Sequence, residues 1–131
     1  MARQVTTQAI SLVLPMPVSV NAAYRNVPGV GRVKTRAYRD WATEAALLMK
    51  LQARGSISGA YAIHVEIDRP DKRRRDLSNL LKVLEDTIVA QGLVEDDSLC
   101  ERIKMQWTDR IDGRPGPVRV WLIATGDDDD A

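Results

Sequence analysis

Cysteine is nearly absent from the chain: Cys100 stands alone, which excludes an internal disulfide and a cysteine-cluster zinc site and fits a reducing compartment. Histidine is equally scarce. His64 is the single one, and with no second histidine or orienting group in view, a general-base role and a solvated strand position both stay open. Long apolar runs are missing as well, since Ile10 to Val20 is broken by Ser11, Pro15, Pro17 and Ser19 and falls short of the roughly 20 residues of a membrane-spanning helix. Residues 1–7 show no apolar stretch with a small-residue cleavage site, so no secretory signal is expected. These absences point to a cytoplasmic protein that neither spans a membrane nor relies on cysteine staples.

What is present suits one domain: 131 residues, 44% hydrophobic, enough for a single core. The net charge of +1 conceals a segregation along the chain. Up to Ala60 eight basic residues face only Asp40 and Glu44, a net +6, whereas the remainder is −5, with four of its acids in the run Asp127 to Asp130. A polyanion responds to such local potential rather than to total charge.

Apolar patterning predicts a first strand over Ala9 to Leu14, then an irregular stretch of about 20 residues from Pro15 to Lys34, a length at which loops in compact domains are usually functional or disordered. Its basic residues favour function. Thr35 caps a predicted helix to about Arg54, with Tyr38, Trp41, Ala42, Ala45, Leu48 and Met49 as its core stripe and Gly55 as a stop. Alternation over Ala60 to Ile67 predicts a strand with one wet face that carries His64. A charged turn, Asp68 to Asp76, leads to a helix from about Asp76 to Gln91, stopped by Gly92. At ~100° per residue its leucines 77, 80, 81 and 84 with Ile88 share one face, while Asn79, Lys82 and Asp86 gather on another. Two further strands, Leu99 to Thr108 and Pro117 to Thr125, are expected to pair as a hairpin across a turn at Asp112-Gly113. The fold class is α+β, a mixed β-sheet with two helices in the order β-α-β-α-β-β.

The chemistry concentrates after the second strand. Asp76 arrives at a helix start, and the helix and its return deliver Asp96 and Asp97 about 20 residues later. Hard cations such as Mg²⁺ take carboxylate oxygens, keep several waters and need few protein ligands. Beside these acids lies a cationic strip, Arg69 and Lys72, Arg73, Arg74 and Arg75, of the kind that positions a phosphodiester backbone. A purely structural account competes: Asp76 as a helix cap, the arginines as a solvated turn, and Asp96 and Asp97 as their partners.

The run Arg69-Pro70-Asp71-Lys72-Arg73-Arg74-Arg75-Asp76-Leu77-Ser78-Asn79-Leu80 through Lys82, followed by Gly92-Leu93-Val94-Glu95-Asp96-Asp97, resembles the RusA family of Holliday junction resolvases, small dimeric Mg²⁺-dependent endonucleases of bacteria and prophages. Upstream, Leu14-Pro15-Met16-Pro17-Val18-Ser19-Val20-Asn21 resembles that family's proline-rich segment ending in asparagine, and the likeness extends over about residues 9 to 123. It implies a resolvase domain over 1–125; the run of four aspartates marks 126–131 as an expected disordered, solvating acidic tail. It implies further that Asp76 and Asp97 are catalytic metal ligands, that Lys82 is the catalytic lysine, and that Asp96 and Asn79 flank the site. Arg69, Lys72 to Arg75, Asn79 and Asn21 are the expected DNA contacts. Mg²⁺ is the expected metal, Mn²⁺ a substitute, and the partners are a four-way DNA junction and a second copy of the chain. One departure stands out: the family often has aspartate two residues after the first catalytic one, and here that position is Ser78, a neutral and weaker ligand. Ser78 therefore keeps a second reading open, a branched-DNA-binding protein without catalysis; a third, a protein-interaction domain, predicts no affinity for DNA.

Overall fold

The computed structural model describes residues 6–109 and 116–126. The expected Asp112-Gly113 turn and the acidic run at 127–130 lie outside them. Ten elements follow one another: β1 (Ala9–Leu14), α1 (Val20–Ala23), β2 (Tyr24–Val27), β3 (Gly31–Lys34), α2 (Arg36–Gln52), β4 (Tyr61–Asp68), α3 (Ser78–Ala90), a 3-10 turn (Asp97–Leu99), β5 (Cys100–Thr108) and β6 (Val118–Ala124). The fold is α+β with a mixed sheet, as the patterning predicts. Two short elements and a separate hairpin add to it.

The four-stranded sheet runs β1-β6-β4-β5. This overturns the expected hairpin: β5 pairs parallel with β4, and β6 lies between β1 and β4, antiparallel to both. Burial explains the arrangement. In β6, Val118, Val120 and Leu122 are fully buried, which suits an interior strand, whereas β5 carries Glu101, Arg102 and Lys104 exposed, as edge strands do. At the other edge, Gln52 covers β1: the Val13 N–H donates to its Oε1 at 2.7 Å, and its Nε2 donates to the Val13 carbonyl at 3.0 Å.

Because β5 is parallel to β4, the two must be joined by a crossover, and α3 supplies it. Alternate residues of β4 (Tyr61, Ile63, Val65, Ile67) join Leu12, Leu14, Val120 and Leu122 in one core with Trp41 and Met49 of α2 and Val83, Leu84 and Ile88 of α3. The apolar stripes read from the sequence are thus core, although Leu77 and Leu81 are only partly buried and Val83 takes their place. The helix ends at a Schellman motif: Gly92 adopts φ +74°, its N–H donates to the Val89 carbonyl, and the Leu93 N–H donates to Ile88. Asp76 does not cap α3 with its side chain; Leu77 holds the cap position, and only the Asp76 carbonyl accepts, from the Asn79 N–H at 3.2 Å.

The opposite face of β4 is drier than expected. His64 is half-buried on the face away from α3, its ring 5.0 Å from that of Trp121; its Nε2 is shielded from solvent with no hydrogen-bond partner and lies 3.9 Å from Glu66 Oε2. Further along, buried Arg119 donates to Asp68 Oδ1 at 3.0 Å and to Thr108 Oγ at 2.8 Å, and it lies 3.4 Å from Glu66. This ion cluster fixes the end of β4, where the charged turn leaves the sheet.

The stretch from Pro15 to Lys34 is ordered into α1 and the β2–β3 hairpin. Val27-Pro28-Gly29-Val30 forms its turn, with Gly29 at φ +77° and the Val30 N–H donating to the Val27 carbonyl at 3.0 Å, the pattern of a type II turn.

Leu84 seats α3 on the sheet with no exposure, whereas Leu51 on the far side of α2 is 69% exposed. Leu84→Ala is expected to cost about 2–5 kcal/mol in urea unfolding, and Leu51→Ala less than about 0.5 kcal/mol.

Candidate active site

The i,i+4 spacing of α3 places Lys82 and Asp86 on one face. The chain then reverses at Gly92 and returns through Glu95, Asp96 and the 3-10 turn, which brings Asp97 alongside. Lys82 Nζ lies 3.0 Å from Asp86 Oδ1 and 3.1 Å from Asp97 Oδ2, with both carboxylates about one-third exposed. The hydrogen bonds that the ammonium donates to Asp86, then to Asp97, hold its pKa well above the ordinary lysine range, so Lys82 stays charged across the physiological pH span. Asp96 caps the 3-10 turn: its Oδ2 accepts the Ser98 N–H at 2.9 Å and also the Ser98 hydroxyl. These bonds lower its pKa.

These groups line an open groove of about 730 Å³ between α3 and α2, whose other wall carries Tyr24, Lys34 and Tyr38. Beneath it, Tyr61 donates to Glu85 Oε2 at 3.0 Å, both groups being buried. Burial raises the Glu85 pKa, and the Asp97 and Asp86 charges add to the rise. Tyr38 is pushed up to about 12, by burial first and then by Tyr24, whose ring meets it edge-on at 5.6 Å.

The structure brings together Lys82, Asp97 and Asp96 of the expected set. Asp76 and Ser78 do not line the groove; both are exposed, at the start of α3, and Ser78 is four residues before Lys82, a rise of about 6 Å along the helix. Asn79 is half-buried beside them, and Asn21 is exposed on α1, which packs against α3. The basic turn is clamped from within rather than by Asp96 or Asp97. Asp71 accepts from Arg73 Nη2 at 3.0 Å and from Arg75 Nη2 at 2.8 Å, and these guanidinium bonds, Arg75 first, hold its carboxyl well below the usual carboxylate range. Lys72 and Arg74 are exposed, and Arg69 lies over the Trp107 ring at 5.5 Å.

Among the described residues no three carboxylate, histidine or cysteine side chains form a ready cage for a metal ion. The donors still fit a hard cation of the Mg²⁺ kind, which is commonly held by one or two carboxylates with water and substrate phosphate: Asp97 and Asp86 already converge on a cationic group. One contribution escapes sequence reasoning: the Tyr24–Lys34–Tyr38 wall arises from a hairpin hidden in an irregular stretch. Asp86 was in view, both as a neighbour of Lys82 on the helix face and as a carboxylate able to compensate for Ser78.

Across residues 14–120 the chain matches the profile of the endodeoxyribonuclease RusA family. The chain belongs to the RusA family. Its relatives include the crossover junction endodeoxyribonuclease RusA of Escherichia coli K12, 34% identical over 90 residues, covering 67% of this chain and 73% of that protein. The enzyme of the same name from Shigella sonnei gives the same identity and coverage. That of Enterobacteria phage HK97 is 30% identical over 93 residues, 71% of this chain and 78% of the phage protein. The RusA family is one of endodeoxyribonucleases, so the groove belongs to a nuclease fold. No helix among the described residues is long and apolar enough to cross a membrane.

Glu85 provides a test of the buried layer. Its raised pKa means that, as pH climbs from below the unfolded-state glutamate value, the unfolded chain loses its proton first, so folding stability falls until the folded-state value is passed. Glu85→Gln keeps an acceptor for Tyr61 and removes this loss. Urea unfolding at pH 4 and pH 7 is expected to show a smaller drop in the variant, with stability at pH 7 at least equal to wild type.

Proposed function

We propose that this RusA-family protein is a structure-selective endonuclease that cuts branched DNA, four-way junctions foremost, by phosphodiester hydrolysis dependent on Mg²⁺. The observation that carries the reading is Lys82, a permanently charged ammonium held between Asp86 and Asp97 in an open groove near a turn rich in arginine. The relatives' name, crossover junction endodeoxyribonuclease, agrees with it.

In the groove Asp97, with Asp86 beside it, would hold the cation, and Asp96 offers its uncapped oxygen; Asp76 and the Ser78 hydroxyl, which the RusA likeness adds to the set, lie at the start of α3, outside the groove lining. When bound, the cation supplies charge neutralisation at the phosphate and a water of lowered pKa. Lys82 adds a fixed positive charge at the scissile phosphate, and Asp86 keeps that ammonium from swinging into solvent. Arg69, Lys72 and Arg74 contact the backbone, while Arg73 and Arg75 are preset by Asp71 as a double guanidinium fork. Asn79 in the first turn of α3 and Asn21 on α1 serve as further polar contacts. A two-fold junction needs two symmetric cuts, which a homodimer provides.

Ser78 and the lack of a three-carboxylate cage among the described residues favour one competing reading, a branched-DNA-binding protein that does not cleave. Cleavage of a synthetic four-way junction decides between them. Asp97→Asn and Lys82→Ala are each expected to slow cleavage about 100-fold or more while junction binding persists. Ser78→Asp is expected to lower the Mg²⁺ concentration for half-maximal cleavage, and Mn²⁺ to serve the wild type better than Mg²⁺. Tight junction binding with no cleavage in either metal would establish the competing reading.

A further inference from the structure

The β2–β3 hairpin stands apart from the main sheet, and its composition is one-sided: from Pro15 to Arg39 there is no acidic residue, but there are Arg25, Arg32, Lys34, Arg36 and Arg39. The register pairs Tyr24 with Lys34 and Asn26 with Arg32, so Tyr24, Arg32 and Lys34 share one face of the hairpin. On that face the Arg32 guanidinium lies 3.8 Å from the centroid of Tyr24, and Lys34 Nζ lies 5.3 Å from that of Tyr38. Tyr24, Lys34 and Tyr38 are walls of the groove that also contains Lys82 and Asp97.

A tyrosine ring orients a cation without cancelling its charge, as a carboxylate would. Arg36 is the exception, paired with Asp40 at 3.6 Å. The two ends of the hairpin are also tied down: the Thr35 hydroxyl, just after β3, donates at 2.8 Å to the carbonyl of Ala22 in α1, just before β2, and Arg39 Nη1 of α2 donates to the Lys34 carbonyl at 2.8 Å. A two-stranded hairpin is marginal by itself, so this bracing gives the two cations a defined position. Arg32 and Lys34, two residues apart on one strand, are about 7 Å apart along it, a separation suited to neighbouring phosphates of one DNA strand.

We propose that the β2–β3 hairpin is a second DNA-gripping lip of the groove, in which Arg32 over Tyr24 and Lys34 over Tyr38 bind neighbouring phosphates of the strand presented to Lys82 and Asp97. The inference rests on the nuclease reading and adds to it a backbone contact outside both the basic turn and the metal site. Such a lip fixes the strand on both sides of the scissile phosphate.

The test is binding of the full-length protein to a synthetic four-way junction, without divalent cation, over a series of NaCl concentrations. The R32Q/K34Q double variant is expected to bind at least 10-fold more weakly, and the slope of log affinity against log salt should become shallower by about 2 for each protomer engaged. The charge-preserving R32K/K34R variant should retain the wild-type slope, which separates lost charge from a disturbed hairpin. If R32Q/K34Q matches wild type in affinity and slope, the lip is overturned while the nuclease reading stands. Loss of binding in R32K/K34R equal to that in R32Q/K34Q also overturns it, since charge is then not what matters. Wild-type protein that binds no DNA at any salt overturns both.

Discussion

The ion triad of Lys82 with Asp86 and Asp97 is the interaction on which the rest of the site depends. It joins residues 15 positions apart, and it exists because α3 is a crossover between parallel strands. Val83, Leu84 and Ile88 seat the helix on β4, the Schellman turn at Gly92 reverses the chain, and the 3-10 turn presents Asp97 just before β5 begins. Any shift of α3 along the sheet would separate the ammonium from Asp97, so core packing and site geometry are one constraint. The buried Tyr61–Glu85 pair ties the same helix to β4.

The electrostatics have a common logic. Each cluster of one sign is held by a partner that leaves part of it available: Lys82 is shared by two carboxylates about one-third exposed, Asp71 presets two guanidinium groups, and tyrosine rings orient Arg32 and Lys34. A phosphate backbone entering the groove meets cations already in position, which lowers the ordering cost of binding. The buried Arg119–Asp68 contact does the same one step earlier, by fixing where the charged turn starts.

Much of this was legible in the sequence because periodicity reports burial. The stripe on α2, the alternation of β4 and the Gly92 stop follow directly from residue spacing, as does the shared face of Lys82 and Asp86. Strand pairing was not legible in the same way. Periodicity says which face of a strand is buried but not which neighbour it takes, so two successive strands with a turn between them look like a hairpin. The charged residues of β5 and the apolar run of β6 held the missing information, an edge strand and an interior strand. The β2–β3 hairpin escaped because four-residue strands carry almost no periodic signal; only Pro28-Gly29 marked its turn. Asp71 as the partner of Arg73 and Arg75 was hidden by local geometry, since a turn of alternating charge does not reveal which acid faces which base.

A double-mutant cycle on cleavage tests the central claim most directly. Single-turnover rates on one four-way junction at saturating Mg²⁺ would be compared for wild type, Lys82→Ala, Asp97→Asn and the double variant. If the two residues act as one unit, the double variant is expected to be about as slow as the slower single variant. Losses that multiply, or a wild type and single variants that cleave at equal rates, would contradict the account.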